Sequence, residues 1–327
     1  MAKRWGRAGL VLAGVALAVW AGYGAVGAGA SFTDAFALVS DLPWAQVAGL
    51  TVVWLLGLVI HTVVLAASMP GLTHGRALVL NLSGSAVSNV LPLGGVAGTA
   101  LNLTMTRAWG HSNLDFARFV VVSKACDVIA KLVLPIAAVV WLLLGGALTP
   151  ATAAVWWLPA AGALAAGLLV AAAISGRAEF LLRWVGRRNA SWAGLLTGTR
   201  DLVRRRRTEL ITGMAGYWVA QCALLWCCLL AVGLRPSLAV VFAAFVAERA
   251  ATLLLITPGG AGPAEAAMVT TLIALGADPT ASLAGVVLFR AFVFAAEIPA
   301  GALVTLWWWA IRRYRARNQD GMPPVCA

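Results

Sequence analysis

The sequence predicts an all-α polytopic membrane protein with six full transmembrane helices plus two re-entrant, interrupted helix pairs in an inverted repeat. Three observations predict it. Apolar residues make up 61% of the 327 and charged residues 11%, against about 25% charged in an ordinary soluble domain. Runs of about 20 apolar residues, the length a helix needs to cross the hydrocarbon, recur along the whole chain. Two further apolar stretches are broken by proline and glycine, at Pro92-Leu93-Gly94-Gly95 and at Pro258-Gly259-Gly260-Ala261-Gly262-Pro263. Residues 1–327 read as a single transmembrane domain, with no part both long enough and polar enough to fold in water.

Lys3, Arg4 and Arg7 precede the first span, Ala8 to Ala30. Ala28-Gly29-Ala30 resembles a signal-peptidase site, but the apolar stretch exceeds the usual 7–15 residues of a signal, so an uncleaved span is the expectation. The next loop holds Asp34 and Asp41 and no cation, which places it outside. Span two, Trp44 to Ser68, returns to a short inner loop with His74 and Arg76. The first interrupted element then runs from Ala77 to Leu91 and from Val96 to Trp109. Proline stops a helix through its missing donor and a steric clash, glycine through backbone entropy. Span three is Phe119 to Gly145, and span four Ala151 to Ser175.

The segment from Gly176 to Glu209 is a basic cytoplasmic loop, with Arg177, Arg183, Arg187, Arg188, Arg200 and Arg204 to Arg207. Phe180, Leu181, Trp184 and Val185 interleave with charge at helical spacing. Part of the loop therefore reads either as an amphipathic helix on the membrane surface or as a solvated basic loop. Span five is Leu210 to Leu234. The second interrupted element runs from Leu238 to Thr257 and from Ala264 to Ala277. The last span, Ala281 to Ile311, ends in Trp307, Trp308 and Trp309 beside Arg312, Arg313, Arg315 and Arg317, an interfacial aromatic belt followed by an inner basic cluster. Both termini are expected in the cytoplasm, whether each interrupted element re-enters or crosses twice.

The formal net charge is +12. Because the cations lie in blocks between apolar spans, positive-inside topology accounts for them and nucleic acid is not an expected partner. Anionic inner-leaflet lipid at the basic loop is, at roughly 1 kcal/mol per Lys or Arg near the surface. Cys126, Cys222, Cys227, Cys228 and Cys326 form no CxxC pair and His61, His74 and His111 have no metal-ligand spacing, so neither disulfide, metal nor cofactor is expected.

Two stretches of the chain, 44–145 and 210–311, look alike. The breaks Leu91-Pro92-Leu93-Gly94-Gly95 and Thr257-Pro258-Gly259-Gly260 correspond, and Val120-Val121-Val122-Ser123-Lys124 corresponds to Val286-Val287-Leu288-Phe289-Arg290. Span two runs inward and span five outward, so the repeats are inverted. Paired discontinuous helices in inverted halves point to a transporter substrate site near the midplane.

Eight ionisable residues fall inside the apolar spans: Lys124, Asp127, Lys131, Glu248, Arg249, Glu265, Arg290 and Glu297. Facing lipid, they would cost on the order of 20 kcal/mol together, so they must face one another or a wet cavity. Asp127 and Glu297 read as packing ion pairs or as members of a site. Lys124 and Arg290, beside helix N-termini that present free N–H groups, suit a phosphate. Glu265 reads as a helix cap or as a site residue. Asn89, Asn102, Gly94, Gly95, Gly259 and Gly260 complete the candidate substrate-binding set, Asp127, Lys131, Glu248, Arg249 and Glu297 the buried charge network. Ser83, Gly84, Ser85 and Ser88 make the first half-helix small-faced, which favours close packing.

The run from Asn89-Val90-Leu91-Pro92-Leu93-Gly94-Gly95-Val96-Ala97-Gly98-Thr99-Ala100-Leu101 to Asn102, with Arg107 and Gly110, resembles the first motif of the lysylphosphatidylglycerol synthase transmembrane-region family. Thr257-Pro258-Gly259-Gly260-Ala261-Gly262-Pro263-Ala264-Glu265 resembles its second. The resemblance covers nearly the whole chain. It implies the flippase half of a multiple peptide resistance factor, which moves aminoacylated phosphatidylglycerol between leaflets, without the soluble aminoacyl-transferase domain and so without synthase activity. The first motif departs from many relatives in having Thr99 and Ala100 where an acid commonly follows the double glycine.

The expected function is therefore a flippase-like transporter, in the plasma membrane, of an anionic or aminoacylated phospholipid or a polyprenyl-phosphate-linked lipid, with a homodimer as a possible assembly. Two other readings stand beside it. One is a non-transporting partner that recruits a cytoplasmic protein through the basic loop. The other is a membrane-embedded transferase, for which the loop offers no histidine and no paired carboxylates suited to acid–base work.

Overall fold

The computed structural model describes residues 27, 29–91, 94–146, 161–162, 165, 167–168, 190–254, 257 and 260–320. Among these residues the secondary structure is helical throughout, with no strand. Four helical stretches are long and apolar enough to cross a membrane: Trp44–Ser68, Asn113–Leu144, Arg207–Ala231 and Pro279–Tyr314. Nearly all of the expected first and fourth spans, with Phe180, Leu181, Trp184 and Val185, lies outside the described residues.

Helix α1, Phe32–Ser40, occupies what reads from sequence as an outer loop. The Ser31 hydroxyl accepts the Asp34 N–H at 3.2 Å, and Asp34 places its charge in the first turn, where the helix dipole favours it. The Ser31 N–H in turn donates to Thr280 Oγ1 at 3.1 Å, tying α1 to the start of the last span.

Helix α2, Trp44–Ser68, follows Pro43 and matches the expected second span residue for residue. Helices α3, His74–Val90, and α4, Gly94–Ala108, are the limbs of the first broken element. Helix α5, Asn113–Leu144, starts six residues before the expected Phe119 because Ser112 and Asp115 form a capping box: the Ser112 hydroxyl accepts the Asp115 N–H at 3.1 Å and Asp115 Oδ2 accepts the Ser112 N–H at 3.3 Å. Helix α6, Ala190–Arg205, lies within the basic segment. Gly198 leaves room on it for the Arg118 guanidinium of α5. Helix α7, Arg207–Ala231, is the fifth span.

Helix α8, Leu238–Ala251, runs into a short 3₁₀ turn, Thr252–Leu254, and α9, Pro263–Ala274, is the second limb of that broken element. Gly260 and Gly262 take φ of 71° and 94°, left-handed values that L side chains rarely adopt. Pro263 then supplies the preset φ of a first helical residue. The last span is not one regular helix. Helix α10, Pro279–Arg290, passes through a π-helical turn, Ala291–Ala296, into α11, Glu297–Asp320. Pro299 has no N–H to return to the carbonyl four residues earlier, and a π turn at that point absorbs the missing bond.

Helices α2 and α7 form the central pair. Gly57 faces Ala220, Ile60 faces Gly216 and Val64 faces Gly213, so the two run antiparallel. A Cβ added to Gly213 would lie 2.7 Å from the Val64 nitrogen, so the absence of a side chain sets the separation. Within the first broken element a Cβ on Gly98 would lie 2.7 Å from the Gly84 carbonyl oxygen and 2.8 Å from Ser88 Oγ. The small-residue face expected on α3 is thus where its partner limb packs. Limbs of 17 and 15 residues give lengths of about 25 and 22 Å at 1.5 Å per residue, short of the roughly 30 Å hydrocarbon. Each broken element folds back on itself as a hairpin.

The first limb of each hairpin also packs on a long helix from the other part of the chain. Helix α3 lies along α11, with Thr305 Oγ1 2.8 Å from Ser83 Oγ and Gly301 against Leu82 and Ala86. Helix α8 lies along α5, where the Trp141 and Phe242 rings are 5.4 Å apart. Both crossings are antiparallel.

Candidate functional site

The hairpins bring most of the ionisable residues to the interior. Glu248, in the last turn of α8, is 0% exposed. A carboxylate there requires partners, and it has two. The guanidinium of Arg249 engages it through Nε and Nη2, and Arg290 Nη1 lies 3.4 Å from its Oε1. Arg290, at the end of α10, also donates from Nε to Glu265 Oε1 at 2.6 Å. The second Glu265 oxygen accepts the Gly262 N–H at 2.7 Å. Glu265 is therefore both the cap of α9 and a member of the charge cluster, the two readings its sequence position allows. Glu248, Arg249, Glu265 and Arg290 carry two positive and two negative charges and cancel.

Aromatic faces complete the enclosure. Arg290 lies 5.0 Å from the Phe294 ring centroid and Arg249 5.4 Å from that of Phe245, cation–π contacts that replace part of the lost hydration. Glu297, at the start of α11, is also buried. Ser85 of α3 is its polar neighbour, and the charges of Arg249 and Arg290 act on it.

On α5, Lys131 Nζ lies 2.7 Å from Asp127 Oδ2. Pro135 sits one turn further on and leaves the Lys131 carbonyl without its intrahelical donor. Lys124, two turns before Lys131, is exposed and has no ion pair among the described residues. Lys124 and Arg290 correspond in sequence, but their surroundings differ: one is open, the other gripped by two carboxylates.

Asn89 Nδ2 donates to the Phe294 carbonyl at 3.3 Å. That carbonyl belongs to the π turn, where the regular ladder is interrupted, so Asn89 joins the first break to the irregularity in the last span. Asn102 lies across Gly84, and its Oδ1 is buried without a hydrogen-bond partner. Gly94 opens α4, and Gly95, with open space around it, receives the Thr99 hydroxyl on its carbonyl at 2.6 Å. Gly260 packs on Thr252. Gly259 lies outside the described residues.

A second polar group at the α2–α7 interface is not singled out by the sequence reading. The His61 and Tyr217 rings stack with centroids 4.0 Å apart and 16° between planes. Gln221 Nε2 donates to Tyr217 Oη at 3.0 Å. His61 Nδ1 and Gln221 Oε1 are buried without partners. Asn81 is the polar neighbour of His61, and the charges of Lys124 and Asp127 reach it. An ionisable ring inside an apolar span is itself the signal that finds this group; a search confined to metal spacing passes over it.

The arrangement is an apolar helical frame around the balanced cluster of Glu248, Arg249, Glu265 and Arg290, with Glu297 buried beside it and Lys124 exposed on α5. A protein-family model described as Lysylphosphatidylglycerol synthase TM region matches residues 8–301. No curated protein matches the chain.

Proposed function

Because the chain belongs to the lysylphosphatidylglycerol synthase TM-region family, we propose that it is a flippase-like transporter in the plasma membrane. Its substrate is an anionic or aminoacylated phospholipid or a polyprenyl-phosphate-linked lipid. The observation that carries this reading is the cluster of Glu248, Arg249, Glu265 and Arg290, built where a hairpin meets a spanning helix. Packing alone does not require four charges inside an apolar frame, since well-packed apolar residues of similar volume serve as well or better. Charge at that depth favours a pathway for a polar headgroup.

An inverted repeat supports the same reading. Pro92 and Pro258, Thr99 and Glu265, and Lys124 and Arg290 are separated by the same number of residues. Exchanging the two halves turns the α3–α11 crossing into the α8–α5 crossing and leaves the antiparallel α2–α7 pair in place. With Ala8–Ala30 and 151–175 as two further crossings, the chain has six full spans and both termini in the cytoplasm. The substrate site then lies between the two breaks, with Asn89, Asn102, Lys124 and the glycines of the breaks around it, and the chain acts as a transporter and not as an enzyme.

Reconstitution tests this. Protein in liposomes with fluorescent phosphatidylglycerol in both leaflets should expose inner-leaflet probe to an added membrane-impermeant quencher faster than protein-free liposomes do. Equal rates with and without protein would reject transport of that lipid class.

The exposed run Arg204 to Arg207 favours one second reading, in which the basic segment recruits an acidic cytoplasmic protein. A stoichiometric partner captured by cross-linking, with no lipid movement in liposomes, would replace the transporter reading with it.

A further inference from the structure

We propose that His61, with Tyr217 and Gln221, forms a proton-binding site in the α2–α7 interface, and that loading and unloading it drives lipid movement. Only the second half rests on the transporter reading.

The site begins with packing. Gly57 against Ala220, Ile60 against Gly216 and Val64 against Gly213 bring the backbones of the central pair together. Such a seam favours small apolar residues, yet it holds an imidazole, a phenol and a carboxamide. The His61 ring stacks on Tyr217 at 4.0 Å, with 16° between planes. The nitrogens of a stacked imidazole point along its own plane, so the ring beneath supplies no partner for them. His61 Nδ1 is buried and has no partner among the described residues. Gln221, one turn from Tyr217, is buried too. Its Nε2 donates to Tyr217 Oη at 3.0 Å, and its Oε1 has no partner. Turning the amide over exchanges its two ends and still orphans one of them.

A buried hydrogen bond left unmade costs more than a made one returns. Apolar residues of similar shape would pack the seam without that cost. A proton changes the balance. Neutral imidazole has one donor and one acceptor nitrogen, whereas imidazolium has two donors. The proton adds from water to the nitrogen that lacks one and leaves the same way. Loaded, His61 donates toward the orphaned end of Gln221, about 6 Å along α7 from Tyr217, a span that one water bridges. The Tyr217 ring face receives the cation. Among the described residues no three of His, Cys, Asp or Glu come together, so the donors here suit a proton and not a metal ion.

The groups facing the site come from every element packed around it. Asn81 of α3 is the polar neighbour of His61, and Asp127 and Lys124 of α5 act on it with opposite signs. Asp127 is engaged by Lys131 at 2.7 Å. His74, at the exposed start of α3, lies 2.8 Å from Thr62 Oγ1. Arg249 of α8 and Glu297 of α11 act on Tyr217. The π turn, Ala291–Ala296, has no titratable residue and meets α2 through Phe292, 6.2 Å from Trp54. Trp218, next to Tyr217 on α7, meets Phe245 at 5.5 Å, and Phe245 lies under Arg249. One packing layer therefore separates the stack from the charge cluster. In so apolar a medium a positive charge on His61 acts on the Glu248–Arg249 pair across that layer. Counting by the separation between Pro92 and Pro258, Cys227 stands in the place of His61 and Thr51 in that of Tyr217. The site occurs in one half only, so proton loading distinguishes the two halves of an otherwise paired frame.

The test uses the purified full-length chain, labelled with [ring-2-13C]histidine, in detergent micelles, read by NMR from about pH 3.5 to 8. The signal lost in His61→Gln is that of His61, and the His74 and His111 signals left in place report that the variant folds. In wild type the His61 signal should move through a single one-proton transition. Tyr217→Leu and Gln221→Leu should each displace its midpoint by about half a pH unit or more. A His61 signal that stays still across the range, or a midpoint that neither variant displaces, would overturn the site. Liposomes with fluorescent phosphatidylglycerol and an external quencher test the coupling. An imposed pH gradient should speed lipid movement severalfold in wild type and leave His61→Gln unaffected. A wild-type rate indifferent to the gradient would overturn the coupling. No lipid movement under any condition, with the His61 transition intact, would sink the transporter reading and leave the proton site standing.

Discussion

Arg290 and Glu265 are 25 residues apart and meet at 2.6 Å, one closing α10 and the other opening α9. Glu265 spends its second oxygen on the Gly262 N–H, so a single carboxylate fixes the start of a helix and holds a buried guanidinium. The contact needs the Pro-Gly break. Only a chain that has left its helix has a free N–H at Gly262 to offer and room to return a carboxylate toward α10. The break therefore builds part of the charge cluster.

Glu248→Ala should be strongly destabilising. It removes a fully buried carboxylate and leaves Arg249 and Arg290 with one fewer counterion, at a cost of about 3–5 kcal/mol for breaking a buried pair. Thermal unfolding in detergent should show a fall of several degrees. Adding Arg290→Met should recover part of it, because the orphaned charge goes too. A double variant less stable than the single one by the full cost of a second independent deletion would show that the two residues do not act as a pair.

Gly98→Val should separate the limbs of the first hairpin. A Cβ there meets the Gly84 carbonyl oxygen at 2.7 Å and Ser88 Oγ at 2.8 Å, and both belong to a helix that cannot yield without moving off α11. Overpacking of this kind costs about 1–3 kcal/mol. Gly95→Ala, four residues earlier with open space around it, should change stability by well under that amount. A cysteine pair across α3 and α4 should cross-link less efficiently in the Gly98 variant, and equal cross-linking would show that the limbs do not touch there.

These contacts separate what the sequence makes legible from what it does not. Trp44–Ser68 is readable to the residue because Pro43 starts it and the apolar run stops at a loop. The buried charges are readable because an apolar frame makes each one conspicuous. Helix α1 is read as loop, although Ser31 and Asp34 carry a cap signal, because charge and span parity dominate a short outer segment. The early start of α5 is missed for a similar reason: Ser112 and Asp115 precede the apolar run. Lys124 and Arg290 look equivalent in one dimension and differ in three, since the partners of Arg290 come from two other helices. The π turn follows from Pro299, but which carbonyl it frees, and that Asn89 takes it, depends on the crossing of α3 with α11.

Pro299→Ala tests that last relation. Restoring an N–H at this position favours a regular helix through Ala291–Ala296, which rotates the Phe294 carbonyl away from Asn89 Nδ2, now at 3.3 Å. The lost hydrogen bond is worth about 1 kcal/mol, offset by the regained helical one, so stability should change little. Asn89→Ala should then have a smaller effect on the unfolding temperature in the Pro299→Ala background than in wild type. Equal effects in both backgrounds would uncouple the two residues.

The basic helix α6 gives a prediction that can be made away from the bilayer interior. Arg204 and Arg205 close it, Arg206 joins it to α7 and Arg207 opens α7, and all four are exposed; Arg206 shares its charge with Glu209 at 3.0 Å. Three arginines remain for a membrane surface. At roughly 1 kcal/mol each near an anionic leaflet, they contribute about 3 kcal/mol, or somewhat over a hundredfold in partitioning. A peptide covering 190–209 should bind vesicles rich in phosphatidylglycerol and leave phosphatidylcholine vesicles largely free. Replacing Arg204, Arg205 and Arg207 by Gln should remove most of that preference. Because exposed charges are screened over about 10 Å at 0.1 M salt and about 3 Å at 1 M, the preference should fade with salt. Binding that ignored both lipid charge and salt would mean the helix acts through its apolar face, and the arginines would then need a protein partner to explain them.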